Sequence, residues 1–113
     1  MKIVEKPWGR ELWLVVTDRY AAKVLEISKG HRLSLQYHEV KHETLYLYEG
    51  RVKFTIEDEA GEMRDIIVTP GDEPVVVPPG RKHRMEALED SKFFEVSTPE
   101  LDDVVRISDD YSR

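Results

Sequence analysis

The sequence contains no cysteine, so a disulfide framework and thiolate metal sites are both excluded. It also lacks a long apolar run, because no stretch approaches the roughly 20 residues that a membrane-spanning helix needs. The segment that follows Met1 is charged and lacks the apolar block of a secretory signal. These absences predict a cytoplasmic location and no association with a membrane.

Positively charged residues are fewer than negatively charged ones. The 113 residues include 17 Lys and Arg against 23 Asp and Glu, which gives a formal net charge of -6. An acidic chain is a poor electrostatic partner for nucleic acid or an anionic membrane surface, so we expect neither as a partner. The local basic run Arg81-Lys82-His83-Arg84 still leaves room for a small anionic ligand.

The sequence also lacks a sustained helical period of 3.6 residues. Short alternating segments recur instead, separated by glycine, proline and acidic turns, and this pattern is typical of an all-β sandwich or barrel. The predicted strands cover residues 11–16, 20–27, 32–38, 43–48, 51–57, 63–68, 73–77, 82–88, 92–97 and 104–107. Such a count suits a double-sheet jelly roll or a small barrel in a single domain.

Four polar residues stand out within this pattern as candidate metal ligands. Gln36 and His38 are two apart on a predicted strand, so both side chains project to one face. Glu43 follows a polar bend, and His83 follows a Pro-x-Gly turn. Taken singly, a residue of any of these types is more often an ordinary hydrogen-bonded side chain than a metal ligand. Together they offer nitrogen and oxygen ligands to a divalent ion and leave a position open for water or substrate.

The spacing of these residues resembles the two motifs of the cupin superfamily. Gln36 takes the place of the first motif histidine, and Ala87 stands where the second motif has asparagine. The positions that match are Gly30, His38, Glu43 and Gly50 in the first motif and Gly71, Pro78, Gly80 and His83 in the second. The resemblance implies a cupin jelly-roll barrel, all-β, over residues 1–113.

A closer resemblance is to the C-terminal domain of type II mannose-6-phosphate isomerases and mannose-1-phosphate guanylyltransferases. Four segments carry it: Lys6-Pro7-Trp8-Gly9, the run from Arg32 to His38, the run from Gly80 to Glu86, and the acidic and aromatic end from Asp103 to Arg113. Type I phosphomannose isomerases similarly hold zinc with a Gln, a Glu and two His. The resemblance therefore implies one divalent ion on Gln36, His38, Glu43 and His83. Zinc is the expected metal, and Mn, Fe and Ni are the alternatives.

The same resemblance implies a phosphosugar as the small-molecule partner, and several basic residues are candidates to bind it. Arg32 and Arg81 are predicted to share strand faces with the metal ligands, where an arginine can bind phosphate bidentately. Lys82 and Arg84 match the family pattern and complete the predicted substrate-binding set. Lys41 and His42, at the mouth of the site, are candidates for the catalytic base.

Three functions follow from this interpretation. The first is a metal-binding cupin that interconverts an aldose and a ketose phosphate, as a mannose-6-phosphate isomerase does. The second is a metal cupin that binds a sugar or another small molecule without catalysis. The third is an iron-dependent oxygenase, because two histidines and a carboxylate resemble the facial triad of such enzymes. In each case the sheet edges predict a homodimer.

Overall fold

The computed structural model describes residues 1–112 and is all-β. Within these residues no helix is long and apolar enough to cross a membrane. The eleven strands are β1 (Lys2–Lys6), β2 (Gly9–Val16), β3 (Ala21–Ile27), β4 (Leu35–Tyr37), β5 (Glu43–Glu49), β6 (Val52–Glu57), β7 (Met63–Val68), β8 (Val75–Val77), β9 (His83–Ala87), β10 (Ser91–Ser97) and β11 (Val105–Ser108).

The strands form two antiparallel sheets, which confirms the predicted fold class. The order is β1-β2-β3-β10-β5-β8 in the six-stranded sheet and β11-β4-β9-β6-β7 in the five-stranded sheet. Both sheets contribute to one buried apolar core. Phe54 of β6 and Phe93 of β10 meet edge to face there, with ring centroids 6.4 Å apart. The jelly roll is thus closed by contacts between its two inner faces.

Alternation along β10 shows how the sequence selects its inner face. Phe93 is completely buried, and the residues of the same parity are buried with it, whereas the intervening side chains are half-buried or exposed. The inward set is Ser91, Phe93, Glu95 and Ser97. A charged residue, Glu95, is therefore carried into the interior by the same period that buries Phe93.

The predicted strand over residues 32–38 is only partly correct. Regular pairing is confined to β4, and Arg32 makes an isolated bridge with Glu86. Leu33 and Ser34 are both buried although they are adjacent, so the alternation breaks at this point. The face assigned to Arg32 by counting back from Gln36 was consequently wrong. Strand β1 was not predicted at all, because its exposed edge position gives its residues no clear alternation.

Candidate metal centre

Three buried side chains converge between the two sheets: those of His38, Glu43 and His83. Their candidate ligand atoms all lie within 4.8 Å of one another. The Nε2 atoms of His38 and His83 are 3.4 Å and 3.2 Å from Oε1 of Glu43. This is the arrangement of two imidazoles and one carboxylate that the spacing of the sequence predicted.

Strand pairing explains why these residues meet. His83 begins β9 and pairs with Gln36 of β4, and His38 follows β4 directly. Glu43 begins β5 in the other sheet, where it is paired with Ser97 of β10. The histidines and the carboxylate thus come from opposite sheets, and the site lies where the inner faces approach one another.

Hydrogen bonds on the far side of each imidazole determine which nitrogen faces the centre. Nδ1 of His38 lies 2.5 Å from the carbonyl oxygen of Asp103, and Nδ1 of His83 lies 3.0 Å from that of Arg81. A carbonyl oxygen only accepts, so each Nδ1 carries the hydrogen and donates it. In the neutral imidazole this leaves a lone pair on Nε2. The bonds to backbone carbonyls have the orienting role that outer-shell partners have in metal sites.

The two Nε2 atoms are buried and have no hydrogen-bond partner. Buried polar atoms normally have one, and two lone pairs facing a carboxylate oxygen need a positive species among them. Burial lowers the pKa of His38, but the Glu43 carboxylate 3.4 Å from its Nε2 outweighs that effect and the pKa is raised. The carboxylate therefore draws a proton or a cation to this point, and the three side chains fit a divalent metal ion.

Gln36 lines a cavity together with His38 and Glu43, and it pairs with His83 between β4 and β9. It is half-buried, and its Oε1 accepts a hydrogen bond of 2.7 Å from the Ser34 hydroxyl. The Gln36 amide is therefore close to the centre, and the hydrogen bond from Ser34 holds it in place. Its role as a fourth ligand stays a prediction.

A buried lysine connects the centre to a second carboxylate. Nζ of Lys41 is 3.1 Å from Oε2 of Glu43 and 3.5 Å from Oε2 of Glu95. Burial disfavours the charged form of Glu43, but the imidazoles of His38 and His83 and the Lys41 ammonium hold the pKa of its carboxyl well below the usual range. Burial and the charge of Glu43 raise the pKa of Glu95 to about 7.

The charge state of Lys41 follows from the same two neighbours. Burial lowers its pKa, but the charges of Glu95 and Glu43 outweigh this and raise it. Lys41 is therefore a buried ammonium between two carboxyl groups. That environment suits a stabilising charge, and it does not favour the predicted role of catalytic base, which requires a deprotonated amine.

A cavity of about 140 Å³ opens onto the centre. His38, Glu43, Gln36, Lys41 and Glu95 contribute to its wall. Polar and charged side chains share this lining with apolar ones. A small ligand with several hydroxyl groups can find donors and acceptors on this wall.

The predicted phosphate-binding residues lie elsewhere. Arg32 makes two hydrogen bonds to the carboxylate of Asp110, at 2.6 Å and 2.9 Å. Arg84 donates to the carbonyl oxygen of Leu33 at 2.7 Å and approaches Asp110 at 3.6 Å. Neither lines the cavity, because the break in alternation and the acidic end of the chain hold both guanidinium groups outside it.

Arg81, Lys82 and His42 are also absent from the cavity wall. Lys82 and His42 are exposed, and Arg81 is half-buried beside the centre, where its carbonyl accepts from His83. These positions do not support the predicted roles of Arg81 and Lys82 in substrate binding or of His42 as a base. His42 lies in the bend before β5. Its neighbours Lys41 and Glu43 are buried, whereas the His42 side chain is exposed.

Sequence reasoning missed three residues that shape the site. Glu95 and Lys23 have the parity of buried neighbours, Phe93 and Leu25, so alternation alone could have placed them inside. Asp103 lies in an irregular segment that reaches the site from a distant part of the chain. No local pattern marks it.

Residues 23–97 match the family described as Cupin domain. The chain belongs to this family. The match covers the segments that carry His38, Glu43 and His83, so the centre lies in the part of the chain that the family shares.

This cupin is similar along most of its length to mannose-1-phosphate guanylyltransferase of Escherichia coli, with 31% identity over 97% of the chain. The chain spans only 23% of that relative. It also resembles KdgF from Halomonas sp. (TM-score 0.76, 24% identity, 90% of this chain and 91% of that one) and a mutant of Bacillus subtilis oxalate decarboxylase OxdC (TM-score 0.78, 21% identity, 94% and 30%). These two structures support the fold.

Proposed function

We propose that this cupin holds one divalent ion on His38, Glu43 and His83, with Gln36 as a fourth ligand, and that it binds a phosphorylated sugar there. The observation that carries the proposal is the pair of buried Nε2 atoms without a partner beside the Glu43 carboxylate. Zinc is the metal we expect, because imidazole and carboxylate ligands suit it, and Mn, Fe and Ni fit the same donors.

Two observations support a phosphorylated sugar as the ligand. The cavity wall is rich in charged and amide groups, which suit a molecule with several hydroxyls. The relative from Escherichia coli carries a sugar phosphate in its name, and its similarity covers 97% of this chain. Since the chain spans 23% of that relative, we transfer the ligand class to this cupin and leave the nucleotidyl transfer aside.

The reaction we propose is the interconversion of an aldose phosphate and a ketose phosphate. A bound divalent ion supplies Lewis acidity that polarises a carbonyl oxygen. The protein must then take a proton from the carbon beside the carbonyl and return one to the former carbonyl carbon, while the hydroxyl proton passes from the oxygen that becomes the new carbonyl to the former carbonyl oxygen. Glu95 is the side chain we assign to this transfer, because it lies in the cavity and its pKa, raised to about 7, lets its carboxyl group both accept and return a proton near neutral pH. Lys41 balances the negative charge of the site.

The test is turnover of mannose 6-phosphate to fructose 6-phosphate by zinc-loaded protein. Glu95→Gln should reduce kcat by about 10²-fold or more while zinc content is unchanged, since general acid–base catalysis is worth 10²–10⁴-fold. Chelation should abolish turnover. Oxygen consumption by the iron form would instead favour the oxygenase, and stabilisation by the sugar phosphate without turnover would favour a binding protein.

A further inference from the structure

Four cationic side chains line the cavity, and they fall into two kinds. Lys23 is paired with Glu11 at 3.3 Å, and Lys41 is paired with the two buried glutamates described above. Lys6 and Arg106 also line the cavity, yet neither has a carboxylate within 4.0 Å among residues 1–112. These two cations are therefore available to an anion that enters the cavity.

Strand register places Arg106 on the face that carries the metal centre. Arg106 of β11 is opposite Gln36 of β4, and Gln36 is opposite His83 of β9. Residues directly opposite one another in a sheet project to the same face. Neighbouring strands lie about 4.8 Å apart, so Arg106 begins about 10 Å from His83 along this row.

The separation between Arg106 and His83 bears on the length of the ligand that the cavity can bind. A carbonyl at one end of a six-carbon sugar and a phosphate on the other end are separated by the length of the sugar. A guanidinium two strands from His83 can meet the phosphate while the carbonyl end stays at the centre. Arg32, the residue first predicted for this role, is held outside the cavity by Asp110.

Lys6 approaches the cavity from the other sheet. It ends β1, which is an edge strand of the six-stranded sheet, and Arg106 lies on β11, an edge strand of the five-stranded sheet. The next turn is anchored by the buried Trp8, whose carbonyl oxygen accepts a hydrogen bond of 3.0 Å from the amide of Ser28. The backbone that presents Lys6 is thus held in place, although its side chain is only half-buried.

We propose that Arg106 and Lys6 form the phosphate subsite of the cavity, with Arg106 binding two phosphate oxygens and Lys6 supplying a second charge. This inference rests on the proposed function and specifies the part of the ligand that the metal centre does not hold. Charge-assisted bonds from a guanidinium to phosphate are about twice as strong as neutral ones, and the planar fork of arginine matches the oxyanion.

The experiment is calorimetric titration of zinc-loaded protein with mannose 6-phosphate, mannose and inorganic phosphate. The native chain should bind mannose 6-phosphate at least about tenfold more tightly than mannose. Arg106→Gln should remove the difference in affinity between mannose 6-phosphate and mannose, and Arg106→Lys should keep part of that difference. Lys6→Gln should weaken the binding of mannose 6-phosphate about tenfold. Arg19→Gln removes the same charge from an exposed bend outside the cavity and should leave all three titrations unchanged. Thermal unfolding confirms that each variant is folded.

Each outcome separates the two proposals. If Arg106→Gln and Lys6→Gln bind mannose 6-phosphate as the native chain does, or if Arg19→Gln causes an equal loss, the proposed phosphate subsite is refuted and the proposed metal centre is not affected. If neither sugar binds but inorganic phosphate binds and is lost in Arg106→Gln, the subsite stands and the phosphosugar function fails. If none of the three probes binds, both proposals fail.

Discussion

Nδ1 of His38 lies 2.5 Å from the carbonyl oxygen of Asp103, a residue 65 positions further along the chain. The carboxylate of the same Asp103 accepts hydrogen bonds of 3.0, 2.7 and 2.8 Å from the backbone amides of Glu39, Val40 and Lys41. These bonds hold the pKa of Asp103 below its usual range. One residue thus orients an imidazole through its backbone and shapes the bend between β4 and β5 through its side chain.

Asp103→Ala keeps the carbonyl oxygen that accepts from His38 but removes the carboxylate that holds the bend. The carbonyl should then be held less firmly against the imidazole, and zinc binding should weaken about tenfold, the lower end of the effect of disturbing an outer-shell partner. The measurement is a competition titration with a chromophoric chelator. Asp72→Ala is the matched control, because the Asp72 carboxylate also accepts from a backbone amide, that of Thr69 at 2.7 Å, in a loop outside the cavity. Equal zinc affinity in Asp103→Ala and the native chain would contradict the positioning role.

Lys41→Met should destabilise the metal-free protein by about 3–5 kcal/mol, because it leaves two buried carboxyl groups without their cation. The double variant Lys41→Met with Glu95→Gln should recover part of that loss, since one of the two acids is then neutral. Urea unfolding of the single and double variants measures the coupling. Additive effects of the two substitutions would show that Lys41 and Glu95 do not interact.

The two glycines that bracket the first motif should respond differently to alanine. Both have a positive φ, 84° at Gly30 and 96° at Gly50, so each substitution costs about 1–2 kcal/mol of backbone strain. At Gly50 a Cβ would also lie 2.5 Å from the carbonyl oxygen of Asp90, whereas at Gly30 nothing lies within 4 Å. Gly50→Ala should therefore be clearly the more destabilising in urea unfolding. Equal losses in the free energy of unfolding would mean that the chain relaxes freely around Gly50.

The homodimer predicted from the sequence remains a prediction, and the outer face of the six-stranded sheet offers a place to test it. Opposed residues form an apolar row across five strands of this face, in which Phe94 is 43% exposed. The row consists of Ile3, Leu12, Val24, Phe94 and Tyr46. Phe94→Lys should yield a monomer by light scattering, and Met63→Lys, an equally exposed change on the other sheet, should not. A native chain that is monomeric at every concentration would refute the dimer.

Alternation and turn residues predicted most of the fold, because a period of two selects the inner face of strands such as β10 and most turns are marked by glycine, proline or acidic residues. The spacing of the two motifs singled out His38, Glu43 and His83. Alternation failed at Arg32, where two adjacent buried residues break the period. The positions of Arg106 and Lys6 at the cavity depend on the pairing of β11 with β4 and on the sheet edge at β1. Such long-range register has no signature in a single sequence.

The central claim is that two histidines and one carboxylate hold a divalent ion, and elemental analysis of untagged protein tests it most directly. The account predicts about one ion per chain, with zinc the expected metal, and an empty site in the His38→Ala, His83→Ala double variant. The double variant His31→Ala, His42→Ala removes the remaining two of the four histidines, which lie outside the centre, and should keep its metal. Full occupancy in the first double variant, or a native chain that takes up no divalent ion, would contradict the account.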